Sequence, residues 1–138
     1  MSSEGAETDL EQLRVFKSKG FSKFARRESI ADAKLCEAVK DAEEGKIDAD
    51  YGGGVIKQRI SRPGEGKSGG YRAIILFRRG SLAFFVHGFA KSDQANIDAS
   101  DEKDFKDLAK RLLVSSEEEL DALLRSKLFS EVLCNGQS

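Results

Sequence analysis

Three runs rich in β-branched and aromatic residues follow one another between residues 55 and 90. They are Val55 to Ser61 (VIKQRIS), Gly70 to Arg79 (GYRAIILFRR) and Leu82 to Ala90 (LAFFVHGFA). Each has the length and residue types of a strand. Gly80-Ser81 joins the last two, which fits a two-residue hairpin with Gly at the first turn position. The residues between 61 and 70 join the first two. The three runs predict a three-stranded antiparallel meander, preceded by a break at Gly52-Gly53-Gly54.

The long connection holds a glycine pattern that resembles a nucleotide loop. Gly64, Gly66 and Gly69 have G-x-G-x-x-G spacing, and Gly66-Lys67-Ser68 spells the end of a P-loop. Both motifs must run into a helix, whose N-terminus helps to hold the phosphates. Here they run into Tyr71-Arg72-Ala73-Ile74-Ile75-Leu76-Phe77, a strand sequence. The P-loop also needs a glycine where this chain has Ser61. A kinase glycine loop does lie between strands, but 138 residues are too few for a kinase and no H-R-D or D-F-G follows. The stretch is therefore read as a glycine-rich connection between strands, with Lys67 near its centre.

Outside the meander, helical spacing dominates. Residues 1 to 13 are acidic, without a basic residue, and read as a flexible leader to one domain over 14–138. Arg14 to Lys17 is a short strand candidate. Phe21, Phe24 and Ala25 predict a helix over 18–28. Ser29 is a candidate N-cap for the next helix, with Asp32 in the capping-box position, and that helix ends near Gly45. An amphipathic helix is expected over 101–114. Ser116, with Glu119 three residues on, caps a last one. Residues 128–133 suit a short strand or a helix end. The predicted class is α+β. An antiparallel sheet, made of the N-terminal strand and the meander, is packed on one face by an N-terminal helical hairpin and the C-terminal helices, which leaves the other face free.

Net charge is −1, but its distribution is uneven. Residues 53–91 carry eight basic side chains (Lys57, Arg59, Arg62, Lys67, Arg72, Arg78, Arg79, Lys91) and one acid, Glu65. Residues 14–34 hold a second basic cluster, seven against two acids. Concentrated positive field favours a polyanion. No apolar run approaches a membrane span and no signal peptide is evident. Cys36, Cys134 and the one histidine, His87, make neither a standard zinc site nor a disulfide framework. Thiols in a reducing cytoplasm are expected, with no metal and no cofactor.

No Cys/His pair, G-x-S-x-G elbow or H-E-x-x-H is present, and the acids lie mainly in the leader and helices. The sheet offers Lys, Arg, Tyr71 and His87. Such a set suits metal-independent cleavage of RNA. The ribose 2′-OH attacks the adjacent phosphate, and the site must move two protons and stabilise charge on phosphorus. Arginine forks onto phosphate oxygens. A lysine crowded by other cations can exchange protons. A tyrosine can stack on a base or handle a proton.

These residues are similar to a known family. The stretch KQRISRPGEGKSGGYRAIILFRRGSLAFFVHGFAKSDQANI resembles the RelE-type toxins of the RelE/ParE superfamily of bacterial type II toxin-antitoxin modules, especially the HigB-like branch, over about residues 14–114. The more specific parts are G-K-S-G-G-Y-R and F-A-K-S-D-x-A-N-I. The resemblance implies a RelE-like microbial RNase fold and a ribosome-dependent endoribonuclease, an mRNA interferase that cuts messenger RNA in the ribosomal A site. It also implies neutralisation by a cognate antitoxin, commonly a helix-turn-helix DNA-binding protein. By resemblance, Arg72 is the phosphate-stabilising arginine. Lys57 and Arg59 match basic strand positions that serve proton transfer and RNA contact, with Arg62 beside them. Lys67 could swing over the substrate, and Lys91 matches the basic position after the last strand. Ser92 and Asn96-Ile97-Asp98 stand where older members carry an arginine and a base-stacking tyrosine; Tyr71 or His87 could substitute. Two alternatives remain open at this point. One is a gyrase-targeting relative of the same fold, and the other is a catalytically silent RNA-binding or regulatory protein.

Overall fold

The computed structural model describes residues 13–61, 70–92, 94 and 96–134. Of the leader expected over residues 1–13, only Leu13 is among them, and it packs into the core. Ten elements follow in order: β1 (Arg14–Ser18), α1 (Lys19–Arg27), α2 (Asp32–Glu43), β2 (Ala49–Gly52), β3 (Val55–Ile60), β4 (Tyr71–Arg78), β5 (Leu82–Ala90), α3 (Ala99–Leu112), α4 (Glu117–Ser126) and β6 (Phe129–Val132). The strands form a single sheet in the order β2-β3-β4-β5-β1-β6.

The α+β class and the β3-β4-β5 meander are as expected, but the sheet is mixed. Strand β1 runs parallel to β5, while β6 runs antiparallel to β1 and closes the other edge. Residues 128–133 thus contribute a strand rather than a helix end. Strand β2 was not expected. The three glycines taken as a break form its turn into β3: Gly52 pairs with Val55, and the two residues between them, Gly53 and Gly54, have φ of 64° and 86°. Positive φ at both central positions is what a type I′ hairpin turn demands, and glycine meets it without strain. The β4–β5 connection is one residue longer than expected. Ser81 N–H donates to Arg78 O at 3.0 Å, which leaves Gly80, with φ of 73°, at the third position of the turn.

The helix ends follow local chemistry. Ser18 accepts a hydrogen bond from Phe21 N–H at the start of α1. Ser116 and Glu119 form the predicted capping box on α4. Ser29 does not cap α2. It adopts φ of 59° just past α1, where Ser29 N–H donates to Arg26 O and Ile30 N–H to Ala25 O. That is a Schellman stop, and Ile30 packs into the core below it. The N-cap of α2 is Ala31, without a side-chain cap.

The layering also differs from the expectation of helices on one face. Alternate residues of the sheet feed two separate cores. Tyr71, Ala73, Ile75, Ile56, Ile60 and Phe85 pack against Phe21, Phe24, Leu35 and Val39 of the N-terminal hairpin. Ile74, Leu76, Val55 and Phe84 pack against Ala109, Leu112 and Leu120 of α3 and α4. The run Ala73-Ile74-Ile75-Leu76 is apolar throughout because both of its faces are covered. Two members of the second basic cluster form ion pairs between elements. Arg14 forks onto Glu131 at 2.9 Å and reaches Glu117 at 2.6 Å, tying β1 to β6 and α4, and Lys17 pairs with Asp32. These two carboxylates raise the Arg14 pKa further above its ordinary value.

The thiol expectation is corrected as well. Cys36 of α2 and Cys134, just beyond β6, are joined by a disulfide that closes 98 residues of sequence.

Candidate functional site

The register of the meander places the basic residues in rows. Arg59 of β3 pairs with Arg72 of β4, which pairs with Phe89 of β5; the next row is Lys57, Ile74 and His87. Ile74 and Phe89 belong to the α3/α4 core, so this is the face on which Lys57, Arg59 and Arg72 project. It is recessed rather than open. Arg72 is 3% exposed and Lys57 13%, while Arg59 is 51% exposed at the rim.

Two arginines directly opposite each other on adjacent strands repel, and a buried guanidinium is costly unless paired. Asp48, in the connection between α2 and β2, answers both problems. Its Oδ2 lies 3.3 Å from Arg72 Nε and 3.6 Å from Lys57 Nζ, and its Oδ1 lies 3.6 Å from Arg59 Nε. The Asp48 backbone is held from the opposite face of β3 by Gln58. The Gln58 amide oxygen accepts from Asp48 N–H at 3.1 Å, and its nitrogen donates to Lys46 O and Ala38 O at 2.8 and 3.0 Å. A buried amide with all of these partners is a stabilising anchor, each bond contributing about 1 kcal/mol. Beyond Lys57 the β3 strand has no β2 partner. A cleft of about 520 Å³ opens there between α2 and β3, lined by Lys34, Asp41, Asp48, Arg59 and Ser61.

The remaining candidates lie elsewhere. Tyr71 is on the opposite face from Arg72. Its ring meets Phe24 edge-on at 5.7 Å and its hydroxyl donates to Glu28 at 3.0 Å, so the two neighbours in sequence are not brought together. His87 shares the face of Arg72 but lies against Phe89 and Phe105, with ring centroids at 5.7 and 6.2 Å. Lys91 is exposed at the end of β5, where its N–H donates to Gly70 O. Arg62, Lys67 and the glycine pattern of 64–69 lie outside the described residues.

Two residues of the site were missed from sequence. Asp48 sits in IDADYGGG, where one acid among several carries no distinguishing pattern. Tyr51 of β2 went unnoticed because β2 itself did. Its hydroxyl donates to Asn96 Oδ1, and its pKa is raised, by burial first and then by the charges of Glu102 and Asp48. Among the described residues no group of three or more His, Cys, Asp or Glu side chains could hold a metal ion. Chemically, the arrangement is a recessed anion seat: three convergent cations, with an internal carboxylate between them.

Neither the curated proteins nor the solved structures contain a match to this chain. A family model does match, over residues 13–132, and it is described as the RelE toxin of the RelE/RelB toxin-antitoxin system. That span runs from the start of β1 to the end of β6, so it takes in every strand and helix among the described residues, with the cation rows. The chain belongs to the RelE toxin family of toxin-antitoxin systems.

Proposed function

We propose that this toxin is an mRNA interferase that inhibits translation by cutting messenger RNA at the ribosome. The observation that carries the reading is the convergence of Arg72, Lys57 and Arg59 on one recessed face of the sheet. In this mechanism the ribose 2′-OH attacks the neighbouring phosphorus, the P–O5′ bond breaks, and a 2′,3′-cyclic phosphate remains. Arg72 stabilises the charge that develops on the phosphoryl oxygens through its guanidinium. Lys57 stands beside it as the group that exchanges a proton, while Arg59 at the rim holds the RNA backbone. Lys91 extends the basic path for the strand, and Arg62 and Lys67 are proposed from sequence to add to its positive charge. Tyr71 is assigned to packing, on the strength of its Phe24 and Glu28 contacts.

Family membership implies a cognate antitoxin. We propose the HigB-like branch, a helix-turn-helix antitoxin, and action in a bacterial cytoplasm. Among the described residues no helix is long and apolar enough to cross a membrane.

The test is induced expression of wild type and Arg72→Ala in a bacterium, with transcriptome-wide mapping of new 5′ ends. Growth arrest with cuts confined to translated frames is expected for wild type. Cleavage should fall about 10²–10³-fold in the variant, the usual loss of one transition-state charge contact. Thermal melting of the variant checks that it is folded. Arrest without new RNA ends would replace this reading with a protein target such as gyrase. No arrest would point to a silent RNA-binding relative.

A further inference from the structure

We propose that Asp48 is an internal competitor for the phosphate seat, so that RNA enters by exchange with its carboxylate. The inference rests on the nuclease reading of Lys57, Arg59 and Arg72 and concerns how that site is held before substrate arrives. A carboxylate and a phosphodiester both present two oxygens and one negative charge. Asp48 offers Oδ2 to Arg72 and Lys57 and Oδ1 to Arg59, which are the contacts a phosphodiester would make with the same three side chains. Two anions cannot share that position without strong repulsion at low dielectric.

The elements are held in different ways. The three cations stand on adjacent strands, β3 and β4, paired over six residue pairs. Asp48 instead lies in the irregular connection between α2 and β2. That connection is latched by the Gln58 amide, through Lys46 O and Asp48 N–H, and it borders the cleft against α2. With its backbone held there, the Asp48 carboxylate can leave only by rotating its side chain toward that cleft, while the cations stay on their paired strands. Until it leaves, it also keeps the opposed arginines Arg59 and Arg72 from driving each other apart. Its charge sets a threshold that a weak or isolated anion does not cross and a well-positioned RNA backbone does.

The experiment measures binding of a short single-stranded 2′-O-methyl RNA, which cannot undergo 2′-OH attack, by wild type, Asp48→Asn and Arg72→Ala. Asp48→Asn should bind about tenfold tighter than wild type, the lower end of couplings seen for close charge pairs. Its plot of log affinity against log salt should steepen by about 0.7, the value of one more net positive charge set against a single strand. Arg72→Ala should bind more weakly. If Arg72→Ala weakens binding but Asp48→Asn does not tighten it, Asp48 merely braces the cations and the competitor role is wrong. If Arg72→Ala leaves binding unchanged, the seat itself is misassigned and both readings fail. A measurement on labelled wild type stands even if Asp48→Asn does not fold. Adding the oligonucleotide should shift the Asp48 carboxyl carbon resonance together with the Arg72 Nε–H resonance. A shift at Arg72 without one at Asp48 would overturn the exchange.

Discussion

Gly88 of β5 offers a sharp test of the two-faced packing. A Cβ built there lies 2.4 Å from both Cδ2 and Cε2 of Phe24, and 2.9 Å from Cε1 of Phe21. Ordinary carbon contacts need roughly 3.5 Å or more, so the Phe24 ring must retreat by about 1 Å. It has little room to do so. Phe24 is buried, meets Tyr71 edge-on at 5.7 Å, and lies 5.7 Å from Phe21, which in turn packs on Phe85 at 5.1 Å. Overpacking of this kind costs about 1–3 kcal/mol, and the rigid aromatic neighbours place it near the top of that range. Loss of backbone freedom in the unfolded chain offsets about 0.4–1 kcal/mol, because Gly88 does not have a positive φ. Gly88→Ala should therefore destabilise by about 2 kcal/mol, or lower Tm by about 6 °C for a chain of this size. Thermal and urea unfolding followed by circular dichroism measure it. The mechanism makes a second demand. Phe24→Ala alone should cost about 3–5 kcal/mol, but the double variant should cost less than the sum by about 1–2 kcal/mol, because the new methyl fills the vacated space. A Tm unchanged in Gly88→Ala, or additivity in the double variant, would mean that α1 does not seat on the Gly88 face. The assignment of the N-terminal hairpin to the face opposite Arg72 would then fall with it.

Three other outcomes are expected. Reducing the Cys36–Cys134 bond, which spans 98 residues, should lower unfolding free energy by up to about 4.7 kcal/mol in the chain-entropy model; urea midpoints with and without dithiothreitol measure this, and coincident curves would refute the cross-link's contribution. Ser116→Ala removes the capping-box hydroxyl of α4 and should cost about 1 kcal/mol of stability in the same assay. The Tyr51 phenol, raised by burial and by Glu102 and Asp48, stays neutral in the folded state at pH values where the unfolded chain has begun to ionise. Its contribution to stability is thus full below the ordinary tyrosine pKa of about 10 and is lost as pH rises through the folded value. In absorbance titration, Tyr51→Phe should remove a late-ionising component.

Much of the architecture was legible because it rests on short-range chemistry. The meander shows in three β-rich runs, and the α4 start shows in Ser116 and Glu119, since strand preference and capping are decided by neighbours in sequence. Arg72 stood out through the resemblance of its Gly-Tyr-Arg setting to the RelE-type toxins. Other features depend on residues far apart in the chain. The Gly52–Gly54 run was compatible with a break or a turn, and only the pairing of Ala49–Gly52 with β3 makes it a turn. Ser29 had the right chemistry for an N-cap, but the Schellman stop of α1 claimed its backbone first. A two-residue period predicts that Tyr71 and Arg72 point to opposite faces of β4. It does not say which face holds the cations, and that depends on where α1 and α3 dock.

Sequence by itself determined that Tyr71 to Phe77 would form a strand of the meander, since its aromatic and β-branched run favours extended backbone. Tertiary structure decided that two helical layers, rather than one, would bury it, and that β1 would enter beside β5 in parallel. It also decided that Cys36 meets Cys134 and that Asp48 meets Arg72. The physical reason is the same in each case. Local propensity acts over a few residues, whereas ion pairs, disulfides and core contacts act through space, and only the assembled sheet brings their partners within range.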